Sequence, residues 1–370
     1  MRLATYNVEN LFSRAKALNL DTWAEGKKIL DMYAELNELF EEAVYTDAHK
    51  ARMLAILKAL GIDKKNDSKF VILRESRGQF VSHSMIGGTR IKATGRGDWV
   101  GWLELKTELI NEVATRNSAQ VVRDVTPDVI GLIEAEDRKA LMQFSGVLLP
   151  AVGAKPFDQV MLIDGNDDRG IDVGIMACNG YQVGWMRSHV DDLDERTGRI
   201  FSRDCPEYSI WTPSGAVVWV LMNHFKSKGY GTQDSSNARR RRQATEVARI
   251  YERLKSEGAA YIAVMGDLND TPDSEPLAPL LKSTDLKDIA THPAFIDDGH
   301  PGTYQNGTAK EKIDYILLSP ALYARMQQGG IWRRGVWGRN KKPLWEVYPE
   351  MKSSYHAASD HAALWCDLDV

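Results

Sequence analysis

Six short polar stretches of this chain set acids, amides and imidazoles at spacings that suit chemistry on a phosphate. Asn7 and Glu9 lie in "TYNVEN", and Glu134 closes the apolar run of "VIGLIEAED". Asn223, His224 and Lys226 lie in "VLMNHFKSKG", and Asp267 and Asn269 in "GDLND". Asp314 belongs to "KIDYILLS", and Asp360 and His361 to "SDHAALW". Glu9, Glu134 and Asp360 are hard oxygen donors of the kind that hold Mg²⁺ or Mn²⁺ without soft or imidazole ligands. Two histidines, one of them preceded by an acid, can orient a phosphate or stabilise charge on it. An Asp-x-Asn pair can position an attacking water. Each stretch also has an ordinary reading. Gly, Asp and Asn are turn residues, strand ends carry solvated acids, and a lone histidine such as His224 is more often structural.

Rigid elements must aim these groups. Apolar runs rich in β-formers recur at Leu3–Tyr6, Val129–Ile133, Gln159–Ile163, Ile171–Ala177, Val217–Met222, Tyr261–Met265, Ile313–Leu318 and Ala363–Leu368. Helical segments are expected between several of them, notably Thr107–Arg123 and Ala238–Lys255. Strands alternating with helices predict an α/β layered domain, and several strands are apolar on both faces, as covered central strands are. The polar stretches fall at strand ends, where a sheet can aim side chains into one pocket.

Residues 13–105 break the rhythm and are expected to form an insertion or subdomain within a single catalytic domain spanning 1–370. Ile29, Tyr33, Leu36 and Phe40 recur at helical spacing. A second helix is expected from an N-cap at Thr46 to Gly61. Paired strands follow in "FVILRESRGQFVSHS" and "TRIKATGRGDWVGWLEL".

The order N-x-E, E, N-H, G-D-x-N, I-D-Y, S-D-H resembles the endonuclease/exonuclease/phosphatase family, the DNase I-like superfamily, from Arg2 to the C-terminus outside that insertion. The resemblance implies a four-layer sandwich of two packed mixed β-sheets flanked by helices, and divalent-metal-dependent cleavage of phosphate esters. By the same resemblance Glu134 is the main metal ligand, with Asn7 and Glu9 beside it and Asp360 completing the cluster. Asp267 orients or deprotonates the attacking water, and Asn269 donates to the reacting phosphate and to that water. His361 lies beside the scissile phosphate with its tautomer fixed by Asp314, and His224 is a second phosphate-facing imidazole. Arg169, just before a strand, and Tyr304 are expected near the substrate, with Asn223 and Lys226.

The substrate class is less sharply drawn. "NHFKSKG" followed by an Arg-rich helix, Arg239 to Arg242, resembles bacterial nucleases of the family, and four cations at a helix start are poor for the helix dipole. "TRIKATGRGDWVGW" interleaves Arg90, Lys92 and Arg96 with Trp99 and Trp102, a mixture suited to strand backbones and stacked bases. A solvated helix face and a Trp-pinned hairpin explain the same residues. A nuclease acting on DNA or RNA is the expected activity, with a small-molecule or lipid head-group phosphate ester as the alternative.

Composition bounds the rest. The 370 residues are 43% hydrophobic and 26% charged, with a formal net charge of -4, so any polyanion contact must come from a local patch. No apolar run approaches the roughly 18 residues of a membrane span. The N-terminus shows no apolar leader. Three scattered cysteines, Cys178, Cys205 and Cys366, suit a reducing compartment, so the expected location is cytoplasmic.

Overall fold

The structure, a computed structural model, describes residues 1–20, 23–84, 88–167, 169–228 and 232–370. They divide into two compact units, one formed by Met1–Phe12, Ile110–Lys228 and Thr232–Val370, the other by Ser13–Leu109.

The larger unit is built on two six-stranded mixed sheets. In chain order their strands are β1 (Arg2–Asn7), β2 (Val129–Ala135), β3 (Gln159–Leu162), β4 (Asp172–Ala177), β5 (Gln182–Arg187), β6 (Glu207–Trp211), β7 (Val217–His224), β8 (Ile262–Asp267), β9 (Lys287–Asp288), β10 (Asp314–Leu318), β11 (Met326–Trp332) and β12 (Ala363–Leu368). The first sheet runs β11-β12-β1-β2-β4-β3, and the second β5-β6-β7-β8-β10-β9. Each contains one parallel pair, β1 with β2 and β7 with β8, and is otherwise antiparallel.

The sheets pack face to face. Leu3, Ile133 and Ile175 from the first meet Val220, Met265 and Ile316 from the second in one buried cluster. Gly131 is part of this fit, because a Cβ there would stand 2.2 Å from the Met222 methyl. Outside the first sheet, Ala119, Val122 and Val125 of the helix Glu112–Val125 cover Ala4, Tyr6, Ile130 and Leu132. Outside the second, Ala244, Val247, Ile250 and Leu254 of the long helix Gln233–Ser256 cover Leu221, Val264 and Leu317. This is the expected four-layer sandwich.

All eight apolar runs are strands. Two helix boundaries differ from expectation. Residues Thr107–Leu109 form a short strand, and the helix begins only at Glu112, where the Asn111 side chain caps Val113 and Ala114. The long helix begins at Gln233 under a Thr232 cap, so Arg239 to Arg242 lie well inside it and the dipole argument about its first turn does not apply.

The smaller unit has its own core. Helices Trp23–Phe40 and Asp47–Ala59, the second capped by Thr46, pack Leu36, Phe40, Met53 and Leu57 against Val71, Leu73, Leu103 and Leu105. Strand Val71–Arg77 pairs with Val100–Leu105, and Val81–Ser84 with Gly88–Ile91. Trp99 is 1% exposed, stacks on Phe80 at 4.5 Å and donates its indole N–H to Tyr45 at 2.9 Å. It is a core residue and presents no face for a base. Trp102, on the next strand, is 48% exposed.

Candidate active site

The site lies between the two sheets, where strands of both end together. His224 ends β7 and Asp267 ends the adjacent parallel β8, in register with each other. Asp314 opens β10, antiparallel to β8 and opposite Asp267. Their strand-mates Val220, Met222, Ala263, Met265, Ile316 and Leu318 fill the inter-sheet core. Period-two alternation therefore points His224, Asp267 and Asp314 between the sheets. Asn7 ends β1 on the same face as Leu3.

Glu134 breaks the alternation. Its strand-mate Leu132 faces the outer helix, so a regular strand would bury Glu134 there too. Instead the β2–β4 register shifts here: Asp172 pairs with Ala135 and the next residue, Val173, with Ile133. Glu134 is left over with φ 66. The bulge and left-handed backbone turn its carboxylate to within 3.6 Å of His224 Nε2. Glu9 (φ 51) and Asn269 (φ 53) also adopt the left-handed region, which costs non-glycine residues on the order of 1–3 kcal/mol each. Gly266 has φ 129, and a Cβ there would meet the Asn223 carbonyl oxygen at 2.0 Å, so only glycine fits before Asp267.

Asp267 is held by amides. Its Oδ1 accepts from the Asn269 backbone N–H at 2.8 Å, and its Oδ2 from Asn269 Nδ2 at 3.1 Å and Asn7 Nδ2 at 3.3 Å. Asn269 Nδ2 also donates to the Phe225 carbonyl at 3.2 Å. Both amide hydrogens of Asn269 are thus committed, and a flipped amide would set its oxygen against two acceptors. Asn269 presents its Oδ1, an acceptor suited to a water hydrogen. The expected donation from its amide to the phosphate has no free hydrogen here. Burial, reinforced by the nearby charge of Asp314, pushes the Asp267 pKa well up, towards that of a base at neutral pH.

Asp314 fixes His361. Its Oδ2 accepts from His361 Nδ1 at 2.9 Å and from the Thr303 hydroxyl at 2.6 Å. With Nδ1 donating, Nε2 faces the site, 3.7 Å from an Asp360 oxygen. Burial disfavours the imidazolium, but Asp314 outweighs it and holds the His361 pKa well above the usual range. The Ser359 hydroxyl accepts the His361 backbone N–H and donates to the Asn7 carbonyl, pinning this segment to β1. Tyr304 lies against the His361 ring, with centroids 4.8 Å apart. His224 behaves oppositely: burial, with the nearby charges of Arg203 and Arg169, holds its pKa well below the usual value and the ring neutral.

A cationic group borders these acids. Arg169 pairs with Asp167 through Nε at 2.8 Å and Nη2 at 2.6 Å. Arg203, which no sequence motif marked, is 2% exposed and sets its Nε 2.8 Å from the same Asp167 carboxylate. Burial, then the charges of Arg203, Arg169 and Arg239, lower the Lys226 pKa to about 8. Arg240 is fully buried, bonded to Asp270 and the Lys226 carbonyl, and Arg241 pairs with Glu275. Arg240 is therefore structural, while Arg241 stays exposed in a surface pair. Asn223 falls on the opposite face of β7 from His224, beneath the long helix, with its Nδ2 on the Leu221 carbonyl at 3.1 Å. It does not join the site.

The oxygen donors form a wider ring. Glu9 N–H donates to Asn7 Oδ1 at 3.0 Å, and Asp360 N–H to Glu9 Oε2 at 3.2 Å, which sets these three side by side. Among the described residues, Asp267, Asp314 and His361 place ligand atoms within 4.8 Å of one another, whereas Glu9, Glu134 and Asp360 form no such tight group. The tight trio has N–H and O–H donors aimed at its carboxylates, which suits proton handling. The looser ring suits Mg²⁺, which keeps several waters and takes one or two carboxylates.

The chain belongs to the endonuclease/exonuclease/phosphatase family, whose model matches residues 94–329. Two solved structures from Bacteroides thetaiotaomicron share the fold. One is a mannosyl-6-phosphatase, 17% identical with a TM-score of 0.52, covering 70% of this chain and 92% of that one. The other is described only as an endonuclease/exonuclease/phosphatase family protein, 16% identical with a TM-score of 0.51, covering 69% and 86%. No curated protein matches the sequence. Members of the family are phosphoester hydrolases and generally use divalent metals. No described helix is long and apolar enough to cross a membrane.

Proposed function

We propose that this protein is a divalent-metal-dependent phosphodiesterase that hydrolyses nucleic acid by in-line attack of water. The supporting observation is the group of cations beside the acids: Arg169, Lys226 and Arg239 lie near one another, with buried Arg203 sharing Asp167 with Arg169. A single phosphate needs fewer, and flanking phosphates of a polymer would use the rest. Asp267, with its raised pKa, takes the proton of the water, which Asn269 Oδ1 orients. His361, cationic through Asp314, stabilises charge on the phosphoryl oxygens, and neutral His224 completes the pocket. Asn7, Glu9, Glu134 and Asp360 would hold the metal, which when bound neutralises the anionic ester.

A second reading, a small phosphate ester, is favoured by the burial of Trp99 and Arg240, which takes one residue from each of two features offered for polymer binding. The resemblance in fold to a mannosyl-6-phosphatase fits it as well. One panel separates the two. Purified protein with Mg²⁺ or Mn²⁺ is assayed on plasmid, single-stranded DNA, RNA, bis(4-nitrophenyl) phosphate and sugar phosphates. Cleavage of polymer that EDTA abolishes and metal restores is the expected result. Activity confined to sugar phosphates moves the second reading ahead, and full activity in EDTA refutes both.

A further inference from the structure

Arg203 lies in "FSRDC", a segment that carries no motif, and its side chain joins two parts of the site that are far apart in sequence. On one side its Nε faces Asp167 Oδ2 at 2.8 Å, the oxygen that also accepts Arg169 Nη2 at 2.6 Å. On the other its Nη1 donates to the Phe225 carbonyl at 3.2 Å, the oxygen that also accepts Asn269 Nδ2 at 3.2 Å. Phe225 in turn donates its backbone N–H to the Asp267 carbonyl at 2.9 Å. Arg203 and Arg169 thus share one carboxylate, and buried Asp172 also acts on Arg203 electrostatically. Glu134 and Asp267 are close enough to act on Arg203 electrostatically. A buried cation in a low-dielectric setting is expensive unless paired. For a purely structural tie, an apolar residue of like size would fill the space at less cost.

We infer that Arg203 is a positioning residue for phosphoester hydrolysis, fixing Arg169 through Asp167 and Asn269 through the Phe225 carbonyl so that the cation and the water-orienting oxygen keep their spacing across the reacting phosphate. The inference rests on the hydrolase reading above. Lysine cannot replace the arginine, because a point charge on a flexible stem cannot face both partners at once.

The test uses full-length protein with Mn²⁺ and bis(4-nitrophenyl) phosphate, inorganic phosphate as a competing probe, and activity expressed per folded molecule from a melting curve. Wild-type turnover is measured first, and its absence on every phosphoester would sink the hydrolase reading itself. Given wild-type activity, R203M and R203K are each expected to lose about a hundredfold in kcat/KM, the scale of one oriented donor. The inhibition constant for phosphate is expected to rise about tenfold, one such contact to a charged group being worth that factor. In R203A, guanidinium at millimolar concentration is expected to restore activity that equal sodium chloride does not. R203K with wild-type kcat/KM and phosphate inhibition overturns the inference. So do variants whose melting falls while activity per folded molecule stays unchanged, because Arg203 is then a structural tie.

Discussion

The geometry around Asn269 makes Asn269→Asp an informative change, since it alters two atoms' chemistry and almost no volume. In the native site Asn269 Nδ2 lies 3.1 Å from Asp267 Oδ2 and 3.2 Å from the Phe225 carbonyl. An aspartate would replace both donations by contacts between acceptors. Two unit charges at 3.1 Å repel by about 5 kcal/mol at an effective dielectric of about 20. That is between three and four powers of ten in a proton equilibrium, at about 1.4 kcal/mol each. Asp267, its pKa already raised to about 8 in the native site, would then share with the new carboxylate a proton held far more tightly. It could no longer serve as a base near neutral pH. The loss of two hydrogen bonds costs about 1 kcal/mol each besides. N269D is expected to fold, to melt a few degrees lower, and to lose about a thousandfold in kcat on bis(4-nitrophenyl) phosphate. Asn269→Ser, which adds no charge, should lose much less. If N269D turned over within a few-fold of wild type, the amide orientation and the role of Asp267 built on it would both be wrong.

Other outcomes follow from the same geometry. Trp99→Ala empties the core of the smaller unit and should cost roughly 3–5 kcal/mol, whereas exposed Trp102→Ala should stay within about 0.5 kcal/mol, both read from chemical denaturation. His189 lies between Asp192 and Glu207, each 2.6 Å from a ring nitrogen. Burial opposes its charge, but Glu207 and Asp192 outweigh it and raise the pKa. A raised histidine pKa contributes stability that is complete below its unfolded value of about 6.5 and is lost as pH rises through the folded value. The stability gap between wild type and His189→Gln should thus be about 3 kcal/mol at acidic pH, the low end for a broken buried pair because Arg253 still holds Glu207. It should shrink as pH rises, and a gap flat with pH would refute the ionised clamp. If the substrate is a polymer, Arg239→Ser with Arg242→Ser should flatten the salt dependence of binding, by about 0.9 in slope for each duplex phosphate no longer neutralised. An unchanged slope would place both arginines outside the interface.

Most of the strands that were legible in the sequence are central ones, because burial on both faces leaves an unbroken apolar run. Two of the edge strands were not. Gln182–Arg187 is mostly exposed and Met326–Trp332 carries two glycines and two glutamines, so neither shows such a run. Motif residues were visible because they close strands, and the order of their types was distinctive. What joins them was hidden, since Asp167 with Arg203 and Thr303 with Asp314 are contacts across loops that no local spacing encodes. Arg240 and Trp99 stayed ambiguous for one reason: a basic run and a basic-aromatic mixture look alike whether the side chains face solvent or are buried with partners. Only the partners decide, Asp270 for Arg240 and Tyr45 with Phe80 for Trp99.

The strained residues and the charges have one physical origin. A phosphate ester site must hold a cation and an anion side by side, so carboxylates and guanidiniums must be brought close without simply neutralising one another. Regular strands alternate faces and cannot crowd so many groups into one opening. Left-handed backbone at Glu9, Glu134 and Asn269 re-aims side chains that the pleat would send elsewhere. Asp167 gathers both arginines on one carboxylate, and Arg203 feels the charges of Glu134 and Asp267 as well. Asp267 and His361 then sit between the two halves with pKa values both displaced upward, one becoming a base and the other a lasting cation. Relaxing the left-handed turn at Glu134 would return its carboxylate to the outer face with Leu132, and the anionic half would lose a member without any group that touches the substrate being altered.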